Sequence, residues 1–446
     1  MKEEIFKAYD IRGIYPKEID EDAVYRIGKA YAKWLKPKKV VLGRDVRVHG
    51  KGLWESCAKG LTEMGVDVVD IGIISTDMLY FAVAHYGFDG GITITASHNP
   101  AEYSGAKIVR EQSQAVSIDT GLAQIRDLAV ANNFQDVEQK GTIEKLDILE
   151  EYIKKNLEFV DKKKIKPLKI VVNTNFGASY RVVDRISKKL GIDLITLNFK
   201  EDGTFPKGRP DPLIPENRIE TSELIKNNKV DFGVSWDADA DRCFFYDEKG
   251  NWVHPIYITG LLIEYFLKKS PGSKILVDPR LKWLPKIITK ENGGELVVNK
   301  SGHSFIKDRI RKEGNVIFGA ETSAHYYFKD YFGVDNGMIP FLIVSQIVSE
   351  SDRNFSEFIE DLQNRFPVMQ EYNFKVKSVP DVLSKIKEKY SDGNLDEIDG
   401  VSIEYSDWRF NLRGSNTEPV LRLNMEAKSK EFLGEKLKEL KKEITK

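Results

Sequence analysis

Three short apolar runs constrain this chain more than any other feature: GGITITA at 90–96, DFGVSWD at 231–237 and NVIFGAE at 315–321. Each has the length and residue types of a buried strand, and each breaks off into a polar loop. Ahead of the first, Val24, Ile27, Tyr31, Trp34 and Leu35 recur at helical spacing and VVLG at 40–43 reads as a strand. A helix over 52–64, the strand VDVVDIGII and a helix over 78–86 then follow. Such alternation is the grammar of an α/β layer. It restarts at KIVVNT (169–174) and at KILVD (274–278), predicting three α/β blocks. Beyond Phe366 the order becomes strand, helix, two strands (VSIEYSDWRFNLR and VLRLNMEA) and a Lys/Glu-rich helix, predicting a smaller α+β domain. A chain of 446 residues exceeds what one core serves. The expected domains are 1–147, 148–250, 251–366 and 367–446.

Charge and cysteine content narrow the function. Lys and Arg total 68 against 69 Asp and Glu, without a long block of one sign, so neither nucleic acid nor an anionic membrane is an expected partner. A small charged metabolite suits this balance better. Cys57 and Cys243 are the only cysteines, each inside a strongly patterned segment, which argues against a disulfide framework and a zinc cluster. The start MKEEIFKAYDIRG shows no apolar signal core, and the apolar stretches at 256–267 and 338–348 are interrupted by Glu264 or too short to span a bilayer. The expected compartment is the cytoplasm.

In open α/β sheets ligands gather at the carboxyl ends of strands. The three strands end in T-A-S-H-N-P (95–100), D-A-D-A-D-R (237–242) and E-T-S-A-H (321–325); a fourth loop, RGSNTEP (413–419), lies between strands of the last domain. Asp237, Asp239 and Asp241 would repel one another unless a divalent cation offsets their charge, and oxygen ligands suit Mg2+. A lone D-x-D would more simply be a solvated turn. A calcium loop fails on two counts: Arg242 occupies the position that requires glycine, and the flanks FGVSW and CFFYD read as strands. Ser97 lacks the G-x-S-x-G elbow of an esterase and, near a metal site, could carry a phosphoryl group neutralised by Arg12, Lys107 and Arg242. RGSNTEP offers Arg413, hydroxyls, Asn416 and loop amides as a phosphate cradle, and would equally serve as a hairpin turn. Glu321, with Ser323 and His325, could take sugar hydroxyls, or the loop could simply be a surface turn.

Taken together, AYDIRG, GRD (43–45), TASHNP with GAK, PEN (215–217), D-x-D-x-DR, GHSFIK (302–307), E-x-S-x-H and RGSNTEP run in one order along nearly the whole chain. In this the sequence resembles the α-D-phosphohexomutase superfamily, specifically its phosphomannomutase/phosphoglucomutase branch. The resemblance implies three related α/β domains and a TATA-box-binding-protein-like α+β domain around a central cleft. It also implies an isomerase of carbohydrate metabolism that moves a phosphoryl group between C1 and C6 of a hexose phosphate, with Mg2+ and a hexose 1,6-bisphosphate activator. Ser97 would be the phosphoserine, and Asp237, Asp239 and Asp241 would bind Mg2+ together with a Ser97 phosphoryl oxygen. His98, Arg12, Lys107 and Arg242 would surround the transferring group, with Lys107, Arg12 or His325 moving the sugar's proton. Glu321 and Ser323 would hold the 3- and 4-hydroxyls, Arg413, Ser415, Asn416 and Thr417 the other phosphate, and Tyr9, Arg280 and His303 would line the cleft. Departures from the family pattern stand at Ser104, Asp77, Ala238 and Ala324, and KGRPDP (207–212) receives no role. Ala238 and Ala324 matter if their backbone needs positive φ. Phosphoglucosamine mutases usually carry Gly where Asn416 stands; that activity, or a non-catalytic sugar-phosphate sensor, is the alternative. The preferred sugar and the oligomeric state are not legible.

Overall fold

A computed structural model describes residues 1–135, 137–414 and 420–445. They divide into two compact units, Met1–Trp252 with His325–Asp352, and Val253–Ala324 with Arg353–Lys446.

The first unit opens with β1 (Ile11–Ile14), α1 (Glu21–Leu35), β2 (Lys39–Arg44), α2 (Gly50–Thr62), β3 (Asp67–Ile73), α3 (Thr76–Tyr86), β4 (Gly90–Ile94) and β5 (Tyr103–Arg110). Their sheet runs β1-β5-β4-β2-β3 and ends on Ile143–Lys145. β2 is parallel to β3 and β4, whereas β5 is antiparallel to β4 and β1. β4 is buried along its whole length, as expected for a central strand covered on both faces. The antiparallel step from β4 to β5 makes residues 95–102 a loop at the carboxyl end of β4. Gly105 is required there, because a Cβ would lie 1.9 Å from the Ile11 carbonyl oxygen on β1. Asp20 caps α1 by accepting from the Ala23 amide.

A second sheet sets the parallel strands Phe232–Trp236, Lys169–Asn173 and Asp193–Leu197 side by side, with Cys243–Tyr246 antiparallel to the first. Hence the acidic run 237–242 is the turn between Phe232–Trp236 and Cys243–Tyr246, flanked by strands as the sequence predicts. The Trp236 indole donates to the Gly337 carbonyl, tying this turn to the segment ahead of helix Met338–Ser349.

In the second unit, strand Lys274–Val277 is parallel to Glu295–Val298 and to Val316–Ala320. The C-terminal sheet is wholly antiparallel, with Tyr372–Lys375, Val420–Ala427, Trp408–Gly414, Val401–Glu404 and Asn394–Asp396 in that spatial order. Leu433, Leu437, Leu440 and Ile444 of the terminal helix pack with Phe410, Leu412, Leu423 and Met425. One expectation is corrected here: VSIEYSDWRFNLR is a hairpin of two strands, closed where the Tyr405 amide donates to the Trp408 carbonyl, because Ser406 and Asp407 form a turn. Three α/β domains and one α+β domain make up the chain.

Candidate active site

Residue Ser97 follows β4 in the left-handed region, at φ 49°. Its amide donates to Thr95 Oγ1, and its hydroxyl lies 3.1 Å from His98 Nδ1 and 3.5 Å from Asp237 Oδ2. The hydroxyl therefore faces the acidic turn. Asp237, Asp239 and Asp241 are all buried there, each offering an oxygen within 4.8 Å of the others. Lys107, on β5, inserts its ammonium between two of them, 2.6 Å from Asp239 Oδ2 and 2.5 Å from Asp241 Oδ2.

Arg242 closes the turn, its Nε 2.7 Å from Asp237 Oδ2. His325 Nε2 lies 3.5 Å from Asp241 Oδ1, and residues 242 and 325 also form a backbone bridge. Arg12, on β1, donates to Asn99 Oδ1 at 2.7 Å and pairs with Asp10, so it faces the same loop. Tyr9 lies in the bend ahead of β1.

Burial and charge set the ionisation of this cluster. Burial raises Asp237 to about 7 against the opposing pull of Arg242, with Asp241 and Asp239 adding like charge. Burial would also raise Asp241, but Lys107 and His325 hold it well below the usual carboxylate range. Lys107 loses solvent yet gains two carboxylates, and stays protonated above its ordinary value. His98 is pushed well below its ordinary value by desolvation and by the Arg242, Arg12 and Arg209 guanidiniums, and is neutral. Three buried carboxylates so close together need compensating charge, and Lys107 and Arg242 supply two. Asp239 Oδ1 is buried with no hydrogen-bond partner among the described residues. A hard divalent ion fits this all-oxygen donor set.

Residues with no distinctive local sequence signal complete the group. Arg209 donates to the His98 carbonyl, and Asp211 pairs with both Arg209 and Arg242. Thus KGRPDP, given no role from sequence, packs against the serine loop. Its signal was two charges flanking a proline, indistinguishable in one sequence from a solvated turn. Thr76, at the start of α3, reaches Asp239, and the GRD run leads into a buried Arg47. Among the departures, Ala324 adopts φ 68° while Ala238 stays outside the left-handed region, which Ala240 enters instead at 55°. Ser104 is buried on β5 opposite Gly13, its hydroxyl without a hydrogen-bond partner among the described residues.

The second unit assembles its own polar group. Arg280 grips Asp278 through Nε and Nη2 and reaches to 3.5 Å from Glu321 Oε1, which also accepts from the Gly302 amide. Asp278 in turn receives the amide and hydroxyl of Thr322, so one buried carboxylate orients both Arg280 and the 321–325 loop. His303 begins helix His303–Glu313, with Nδ1 3.4 Å from Lys307 Nζ, and Ser323 sits two residues past Glu321. Burial and the neighbouring charge of Arg280 both lower Arg413, a crowding of guanidiniums that an anion would relieve. The buried pair Arg409 and Glu426 braces the segment 279–283 that carries Arg280: Arg409 donates to the Pro279 and Arg280 carbonyls, and Glu426 accepts from the Lys282 and Trp283 amides. Ser415, Asn416 and Thr417 lie outside the described residues.

Family models for phosphoglucomutase/phosphomannomutase match the chain from end to end: α/β/α domain I at 3–136, domain II at 150–250, domain III at 254–366 and the C-terminal domain at 365–445. The chain belongs to the phosphoglucomutase/phosphomannomutase family. A phosphomannomutase of Vibrio cholerae is 44% identical over 455 residues, spanning 99% of this chain and 98% of that protein. One from Escherichia coli K12 is 45% identical over 432 residues, spanning 95% and 94%. The crystal structure of a family protein from Burkholderia thailandensis superposes with a TM-score of 0.90 at 30% identity, covering 100% of this chain and 97% of that one. Membership makes this chain a mutase, an intramolecular phosphotransferase of carbohydrate metabolism. Among the described residues no helix is long and apolar enough to cross a membrane.

Proposed function

We propose that this mutase interconverts hexose 1-phosphate and hexose 6-phosphate, accepting mannose and glucose, through a phosphoryl group carried on Ser97 and a hexose 1,6-bisphosphate intermediate. The observation that carries the reading is the hydroxyl of Ser97 facing Asp237 at 3.5 Å, at the edge of a buried carboxylate triad. Asp237, Asp239 and Asp241, with an oxygen of phosphorylated Ser97, would hold Mg2+. Bound there, the ion supplies positive charge where the transferring phosphoryl carries negative charge.

The chain's own residues do the rest. The P–Oγ bond of phosphorylated Ser97 breaks as a P–O bond forms to the sugar's free hydroxyl, whose proton is relayed by a neighbouring side chain to the departing Ser97 Oγ, which is left as a hydroxyl. The resulting 1,6-bisphosphate turns over, and its other phosphoryl returns to Ser97 Oγ. Arg12, Lys107 and Arg242 offset charge during each transfer, and neutral His98 hydrogen-bonds Ser97 without adding a competing charge. Lys107, Arg12 or His325 moves the proton to and from the sugar oxygen. Glu321 and Ser323 hold hydroxyls that both sugars share, since glucose and mannose differ only at C2. By the family resemblance, Arg413, with Ser415, Asn416 and Thr417, would take the phosphate that is not reacting, and Tyr9, Arg280 and His303 would contact the sugar. Hexose 1,6-bisphosphate serves as the activator that restores phosphoserine lost to water, in the cytoplasm.

Coupled assays on mannose, glucose and glucosamine 1-phosphates with a trace of bisphosphate test this reading. Turnover of the first two, abolished by Ser97→Ala, is expected. A preference for glucosamine 1-phosphate would transfer the assignment to that sugar, and full turnover in Ser97→Ala would refute the phosphoserine.

A further inference from the structure

The GRD run at the end of β2 leads into Arg47, of which only 1% is accessible to solvent. All five of its guanidinium N–H groups have acceptors. Nη2 donates to the carbonyls of Ser97 (2.9 Å) and Asn99 (2.7 Å), and Nη1 to those of Pro100 (2.6 Å) and Tyr103 (3.0 Å). Nε donates to Asp45 Oδ2 at 3.1 Å, Asp45 Oδ1 receives the Arg47 amide, and the Phe205 ring packs 5.0 Å from the guanidinium carbon. One side chain thus gathers three carbonyls of the serine loop and that of Tyr103, the first residue of β5. Nothing in this set touches the Ser97 hydroxyl.

The loop needs such an anchor. Ser97 sits in the left-handed region, which a non-glycine residue occupies at a cost unless its surroundings hold it there. Asn99, gathered by the same guanidinium, in turn accepts from Arg12, so the anchor extends to one of the cations facing the loop.

We propose that Arg47 is a positioning residue for phosphoryl transfer: through the loop carbonyls it sets Ser97 Oγ against Asp237. This rests on Ser97 being the phosphoryl carrier. Lysine cannot replace it, because an ammonium has three donors at one point where Arg47 uses five in a plane. A reacting atom displaced by about 1 Å can lose on the order of a hundredfold in rate, while groups that only hold the sugar remain where they were.

The test is single-turnover labelling of wild type and Arg47→Lys with labelled hexose 1,6-bisphosphate, quenched and mapped to the modified serine. Steady-state kcat and KM and the 31P resonance of the phosphoserine are recorded alongside. The expected result is Ser97 labelling about a hundredfold slower in Arg47→Lys, kcat falling in parallel, KM within about threefold, and a shifted phosphoserine resonance. Thermal melting sets a temperature at which the variant is fully folded. Should Arg47→Lys not fold, Asp45→Asn, which frees the guanidinium on one side only, is expected to give a smaller loss in the same rate. Labelling at the wild-type rate in the folded variant, with only a lowered melting temperature, would overturn the proposal and leave Arg47 a role in folding alone. A wild-type enzyme labelled on another residue would instead refute the phosphoserine reading, and the positioning role with it.

Discussion

Asp239 is held at both ends by Thr76: the Thr76 hydroxyl donates to its Oδ2 at 2.6 Å, and the Thr76 amide donates to its carbonyl at 2.9 Å. The start of α3 thereby orients the middle carboxylate of the acidic turn. Thr76→Val keeps the shape and removes the side-chain hydrogen bond, whereas Thr76→Ser keeps it. A hydrogen bond to a charged group contributes roughly 1.5 to 3 kcal/mol. We expect Thr76→Val to weaken divalent-ion binding about tenfold or more, and Thr76→Ser to stay near wild type. Titration calorimetry with Mg2+ reads this independently of turnover, and equal affinities in the two variants would show that Thr76 does not act through Asp239.

Removal of divalent ions should abolish mutase activity, and Mg2+ should restore it, because Lys107 and Arg242 bring two positive charges to three buried carboxylates. Asp239→Asn is expected to fold normally and lose most turnover. The measurement is activity after exhaustive dialysis against chelator, with metal content assayed on the same sample. Full activity in a metal-free sample would reject the assignment.

Much of this was legible in the sequence because strand ends and polar loops are local patterns. DADADR lies between two apolar runs, and a turn between strands is the only element those flanks permit. GITITA and GAKIV bracket Ser97 in the same way. Illegible were the residues that act across the fold. Arg47 is 50 positions from Ser97, and Thr76 is 163 from Asp239. No periodicity marks either, since each depends on which strands lie side by side. The missed break in VSIEYSDWRFNLR has a local cause: Ser406 and Asp407 turn a run whose aromatic residues on both sides read as one strand.

Glu321 is oriented by the Gly302 amide and Arg280, groups other than the sugar. A mutase must bind its sugar in two opposed orientations. Contacts to the adjacent 3- and 4-hydroxyls survive that reversal approximately, whereas a contact to C2 would not. Each bond to the carboxylate should contribute roughly 1.5 to 3 kcal/mol, about ten- to a hundredfold in rate. Glu321→Ala is therefore expected to depress mannose and glucose turnover by similar large factors, with 2-deoxyglucose 1-phosphate still a substrate and a 3-deoxy analogue poor. Selective loss of one sugar would show that Glu321 does not clamp these hydroxyls and that Ala324, at positive φ, has turned the loop elsewhere.

Asp77 stands where the family usually has proline, and it is fully buried in the first turn of α3. Ser75 donates to one carboxylate oxygen and Tyr152 to the other at 2.6 Å, while Tyr331 donates to the main-chain carbonyl. Burial outweighs these donors and raises Asp77 to about 7, with Asp241 and Asp335 adding like charge. An unfolded aspartate titrates near roughly 3.9, so between these values the folded protein holds a proton that the unfolded chain has released. The sign follows: this carboxyl contributes no penalty below about pH 4, destabilises increasingly as pH rises toward about 7, and adds nothing further above that. Asp77→Asn keeps the shape and cannot ionise. Its advantage over wild type should therefore be near zero at pH 4, grow up to about pH 7, and then level off at a magnitude on the order of 1 kcal/mol or more. Urea unfolding of both proteins across this range measures the difference directly. A difference that is flat with pH, or one that grows toward acid, would mean that Asp77 is already ionised in the folded protein and held by its hydroxyl donors.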